Sequence, residues 1–93
     1  MVKALHITEL RARIDTLRAR FGLAAYPWTD PTLAVGSSAI RAVHITDLRA
    51  ALADAYVAAG RRPPTYTEPS LGAGTTIKAV HIAELRAAVI GIE

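Results

Sequence analysis

The chain has 93 residues, a net charge of +3, no cysteine, and a 52% apolar share in which only 5% of residues are aromatic. That composition fits one domain with a modest core, and it excludes disulfides, thiolate metal centres and an apolar run long enough to span a bilayer. Nine of the eleven cationic residues are arginine, interleaved with acids rather than gathered on one stretch, which argues against a nucleic-acid surface.

Ile7, Leu10, Ile14, Leu17 and Phe21 alternate spacings of three and four, which predicts a first helix with one apolar face, stopped at Gly22. A connector of about 17 residues follows, too long to be featureless in a compact domain. Within it, Asp30-Pro31 reads as the cap and first position of a single helical turn that Gly36 ends, with Trp28 before the turn and Leu33 inside it as anchors. The second helix carries Ile45, Leu48, Leu52, Ala55 and Ala59 at the same spacing, with Tyr56 beside the stripe. Gly60 terminates it, and Pro63-Pro64 forbids continuation. The next connector repeats the pattern with Tyr66, Glu68-Pro69, Leu71 and Gly74, and a third helix follows with Ile82, Leu85, Val89 and Ile92.

These helices are copies of one another. Val2–Arg11 returns at Ile40–Arg49 and again at Ile77–Arg86, with the histidines 38 and then 37 residues apart. Repeats of that period mark one supersecondary unit packed on copies of itself. The chain therefore divides into a repeat at 2–39, a second at 40–76 and a partial third at 77–93, together one repeat domain at 1–93. Its first copy stands directly behind Met1 and its last has no connector after it, so the chain reads as a segment of a longer protein. The expected fold is all-α: three signature helices in a small array, near-parallel because the long connectors bring the chain back to the same end. Val89, Ile90 and Ile92 read as an uncapped apolar edge of that array.

Ile40 and Val43 are out of register with Ile45 and Leu48, which predicts an extended lead-in and a helix starting near the histidine. His-x-x-Glu/Asp then looks like a capping box, with His6, His44 and His81 in the cap position. Three imidazoles meeting at one point would make an open zinc site. Helices set in a row would instead hold them roughly 8–10 Å apart, so the histidines are expected to be structural and no metal or cofactor is expected. Calcium loops need oxygen side chains at alternate positions. After Asp30 these are Thr32, Ala34 and Gly36, and after Glu68 they are Ser70, Gly72 and Gly74, which supply too few ligands.

Arg11, Arg49 and Arg86 close each signature, and only Arg11 has an acid four residues on, at Asp15. A repeated arginine without a local partner is expected to fasten helix to connector, through loop carbonyls or Asp30 and Glu68. No nucleophile motif, phosphate loop or His-Glu-x-x-His site is present, and no enzymatic activity is expected.

Ile77-Lys78-Ala79-Val80-His81-Ile82-Ala83-Glu84-Leu85-Arg86, with Trp28-Thr29-Asp30-Pro31 and Leu33 ahead of the second copy, resembles a tandem helical repeat of large secreted bacterial proteins. That resemblance covers nearly the whole chain and implies a secreted accessory module, extracellular or at the cell surface. A partial likeness is to dockerin, in the acid-Leu pairs Asp47-Leu48 and Glu84-Leu85; the calcium loop of that module is missing here, so its partner cannot be carried over. The expected function is a non-catalytic interaction, anchoring or assembly module that binds a protein partner or itself. The alternatives are glycan binding through Trp28 and Tyr66 as exposed aromatics, and nucleic-acid binding by the basic helices.

Overall fold

The computed structural model describes residues 4–28, 42–66 and 79–93. They form three helices and, among the described residues, no strand: α1 at Ala4–Arg20, α2 at Ala42–Ala58 and α3 at Ala79–Ile90. The protein is all-α. The single helical turns expected at Asp30-Pro31 and Glu68-Pro69, and with them the calcium-loop positions, lie outside the described residues.

Each helix buries the face its apolar spacing marks. Repeat-equivalent residues supply the core in four sets of three: Ile7, Ile45 and Ile82; Leu10, Leu48 and Leu85; Ile14, Leu52 and Val89; Leu17, Ala55 and Ile92. All belong to one contiguous cluster, completed by Ala51 and Tyr56. Spacings of three and four repeat about every two turns, so α1 and α2 each present four core residues as one stripe, and α3 presents three with Ile92 just beyond its end. Phe21 and Ala59, next along the same stripes, are partly buried against the end of the core.

The helices are parallel. Glu9 on α1 meets Arg86 midway along α3, while Arg13 and Arg20, further along α1, both reach Glu93 beyond the end of α3. Tyr56 and then Arg61 reach Ala88 and then Gly91 in the same order. The helices do not lie in a row, however. Each touches both others, with the α1–α2 contact the most extensive.

One repeated contact closes the triangle. Arg18 Nη1 on α1 donates to the Ala51 carbonyl of α2 at 3.1 Å. Tyr56, the equivalent residue one repeat later, donates its hydroxyl to the carbonyl of Ala88 on α3. Glu93, equivalent again, accepts from Arg13 Nη2 at 2.6 Å, and Arg13 is the counterpart on α1 of Ala51 and Ala88. Every helix thus hooks onto the next, and the third returns to the first.

The predicted helix starts need correction. Each helix begins at an alanine two residues before the histidine, so His6, His44 and His81 are third residues of helices and not caps. His44 and His81 are fully buried on the core side, and His6 is half-buried. Alanine is the best helix former and lies within each helix ahead of the histidine, while Val80 and Leu5 face outward. The rest of the expected lead-in, Ile40 included, lies outside the described residues. The acid three residues after each histidine consequently lies beyond the first turn.

Gly22 and Gly60 end α1 and α2 with φ of 79° and 76°. The amide of Leu23 bonds the Arg18 carbonyl at 2.8 Å and that of Gly22 the Ala19 carbonyl at 3.1 Å, with the same pair repeated from Arg61 to Tyr56 and Gly60 to Val57. This is the Schellman arrangement, which needs a left-handed residue where each glycine stands. A methyl group on either glycine would meet nothing within 4 Å, so the cost of adding one is purely conformational. Gly60→Ala is expected to cost about 1 kcal/mol, a fall in melting temperature of roughly 4–8 °C. An unchanged thermal melt would show that the turn does not hold the helix end.

Candidate functional site

Three seams run along the triangle, and two are filled by the chain's own aromatic side chains. After Gly22 the chain turns back along α1, where the Asp15 carboxylate accepts from the Tyr26 amide at 3.1 Å and from Trp28 Nε1 at 3.0 Å. The two rings lie 4.8 Å apart and tilted. Arg11 stacks over Trp28, and Arg18 over Tyr26, each guanidinium carbon 5.3 Å from the ring centre. Arg18 also donates to the Ala24 carbonyl at 2.8 Å, to the Ala51 carbonyl and to Asp54 Oδ2 at 2.9 Å. One buried guanidinium therefore joins the returning segment, α1 and α2. Planar donors and a planar cation suit this double role of hydrogen bonding and stacking.

The second seam repeats the theme. Arg49 lies 4.4 Å over the Tyr66 ring. Tyr66 also lies within electrostatic reach of Glu84 on α3 and Tyr56 on α2. Burial pushes the Tyr66 hydroxyl up to about 12, opposed by Arg49 and reinforced by Tyr56 and Glu84. Arg61 stacks over Tyr56 and bonds the Gly91 carbonyl, binding the second returning segment to α3. A Cβ at Gly91 would stand a tight 3.2 Å from the Tyr56 hydroxyl oxygen, which would have to give by a few tenths of an ångström.

The third seam, between α3 and α1, holds no aromatic side chain, and the sequence has none after Tyr66. Its polar residues are Arg86 and Glu9, 3.7 Å apart with side chains 44% and 53% exposed. Further along, Arg13 Nη2 and Nε bond the Glu93 carboxylate at 2.6 and 3.2 Å. That bond holds the Glu93 carboxyl below its ordinary value.

Of the residues marked by repetition, the structure thus joins Arg11 to Trp28 and Arg49 to Tyr66, and leaves Arg86 at the surface. The proposed acceptors Asp30 and Glu68 lie outside the described residues. Both buried arginines cover one face of their aromatic partner, and both aromatics pack partly buried against the core. The sequence marks Asp15 only as an acid four residues after Arg11, and neither Arg18 nor Tyr26 as a site residue, because none recurs in the second repeat: Arg18 aligns with Tyr56, Asp15 with Ala53 and Tyr26 with Pro64. The one available signal was the spacing of Asp15 from Arg11 and Arg18, which sets all three on neighbouring positions of one helix flank.

The apolar edge expected at the end of α3 shrinks to one residue. Val89 and Ile92 are buried in the core, and only Ile90 is exposed, at 64%. The row-like array behind the histidine argument is replaced by the closed triangle; even so, among the described residues no three His, Asp or Glu side chains are grouped to hold a metal ion. No helix among the described residues is long and apolar enough to cross a membrane.

Two expectations follow. Arg49→Ala should lose about 1–2 kcal/mol, since the stacked cation is desolvated, whereas Arg86→Ala on the open seam should stay within about 0.5 kcal/mol of the parent chain. Equal melting temperatures for the two variants would remove the fastening role of Arg49. In alkaline titration followed by tyrosinate absorbance, Tyr66 should ionise near pH 12 instead of the ordinary 10.0. A raised acid stays neutral in the folded chain after it has ionised in the unfolded one, so folding stability falls as pH rises from 10 towards 12. Tyr66→Phe should flatten that part of the profile; an unchanged slope would place the loss elsewhere.

The chain matches no known protein family, no curated protein and no solved structure.

Proposed function

We propose that this chain is a non-catalytic interaction and assembly module of a secreted bacterial protein, built by repeating one helix-and-connector unit, and that it associates with itself through α3. The observation that carries this reading is a second apolar stripe on α3. Val80, Ala83, Ala87 and Ile90 are all exposed and spaced three, four and three residues apart, on the flank opposite the core. At the equivalent positions α1 has Leu5, Thr8, Ala12 and Asp15, so the outward face is apolar throughout on α3 and not on α1. Small residues at its centre allow another helix to approach closely, and the spacing is that of a helix–helix seam. The cations give little support to a nucleic-acid role: Arg11, Arg18 and Arg49 are buried within the fold. The secreted, bacterial setting rests on the resemblance of the repeat signature.

Light scattering across a wide concentration range tests the proposal. A mass that rises with concentration, and returns to that of the monomer in Ile90→Glu, is the expected result. A monomer at every concentration would overturn self-association.

A further inference from the structure

The three seams are copies of one design. The second and third share a starting pair, the signature arginine of one helix and the signature acid of another, whereas in the first the acid beside the ring is Asp15 on Arg11's own helix. In the second seam Arg49 and Glu84 flank Tyr66, and in the third Arg86 and Glu9 stand at the same repeat positions, 3.7 Å apart. Further along, the hook formed by Arg18 with Ala51 and by Tyr56 with Ala88 is formed in the third seam by Arg13 with Glu93. What differs is occupancy. Arg11 and Arg49 are 5% and 8% exposed beneath Trp28 and Tyr66, while the Arg86 side chain is 44% exposed.

We propose that the α3–α1 seam at Arg86 and Glu9 is a docking site for a tyrosine or tryptophan side chain carried on an extended, proline-containing segment of another protein molecule. This rests on the reading of the chain as an interaction module and names the chemistry of its partner. The occupants of the two filled seams define that chemistry. Both arrive on non-helical segments with proline next to or two residues before the ring, Pro27-Trp28 and Pro64-Thr65-Tyr66. The cation supplies a stacking surface for the ring face. A carboxylate can accept from an indole N–H or a phenol O–H, as Asp15 on Arg11's own helix does from Trp28 Nε1 at 3.0 Å, and Glu9 carries that group beside Arg86. The Tyr66 hydroxyl, by contrast, is buried without a hydrogen-bond partner among the described residues. An aliphatic side chain would satisfy neither group, and an acidic one would pair with Arg86 only against repulsion from Glu9. The bonds from Arg13 to Glu93 close the far end of the seam, so the incoming ring sits on the near side of them, at Glu9 and Arg86.

The probe is a capped synthetic peptide with the sequence of residues 61–66, titrated into the isotopically labelled whole chain and followed by amide chemical shifts. Saturable shifts centred on Glu9 and Arg86 are expected, with affinity weakened about 3- to 30-fold by Arg86→Ala and saturable binding lost when the peptide carries Tyr66→Ala. Arg86 is exposed and outside the core, and an unchanged thermal melt of the variant confirms that its fold is retained. Shifts centred instead on Arg49 and Tyr66, equal binding of the alanine peptide, or no saturable shift at all would each overturn the proposal. The outcome separates from that of light scattering. A chain that stays monomeric yet binds the peptide keeps the seam and loses self-association, whereas one that self-associates and ignores the peptide loses the seam alone.

Discussion

Leu48→Ala is expected to lower the melting temperature of this chain more than any surface change, by roughly 8–40 °C, for a loss of about 2–5 kcal/mol. Leu48 is fully buried on α2, as its equivalents Leu10 and Leu85 are on α1 and α3. Truncation removes the transfer free energy of the side chain and leaves a void bordered by three helices. Each helix is hooked to both neighbours through Arg18, Tyr56 and Glu93, so collapse around the void is opposed by those contacts. For a small domain whose whole stability is about 5–15 kcal/mol, that is a large fraction. Val57→Ala, at a residue 64% exposed, is the control and should leave the melt unchanged. Far-ultraviolet circular dichroism reads both. Similar melting temperatures for the two variants would mean that the leucine set is not the centre of the core.

Arg18→Met comes next, at an expected cost of about 2–4 kcal/mol. Arg18 is 7% exposed, and its guanidinium serves the Ala24 and Ala51 carbonyls, Asp54 and the Tyr26 ring together. Hydrogen bonds from a charged donor contribute about 1.5–3 kcal/mol, and carbonyls left without a donor in a buried place carry a desolvation cost of their own. Methionine keeps the length and apolar stem, so the loss reports the polar head. Asp54→Asn separates the ion pair from the rest. The Asp54 side chain is 56% exposed, and an ion pair open to water is worth at most about 1 kcal/mol. If Asp54→Asn melted as low as Arg18→Met, the ion pair and not the carbonyl bonds would be what joins the helices.

Much of the fold was legible in advance, for identifiable reasons. Side chains three and four apart share a helix face whatever that face meets, so Ile7 to Leu17, Ile45 to Ala55 and Ile82 to Ile92 could be assigned to the core before any contact was known. Gly22 and Gly60 were legible as stops because a left-handed residue at a helix end favours glycine on local grounds. The histidines were misread through an equally local argument. A polar residue three before an acid resembles a cap, and nothing nearby shows that the alanine ahead of it continues the helix and turns the imidazole inward.

At the candidate site, repetition pointed to Arg11, Arg49 and Arg86 as a set. Their fates nevertheless diverge, because burial of each depends on whether an aromatic ring arrives from 17 residues downstream, as Trp28 does for Arg11 and Tyr66 for Arg49. Local pattern settled the three helices, their inward faces and the repeat that relates them, since these follow from helical geometry and residue chemistry along the chain. Closure of α3 back onto α1, the burial of the histidines, the Arg18 junction and the open seam at Arg86 were decided only by packing. Periodicity states which face must leave water, and not which surface it will leave water against.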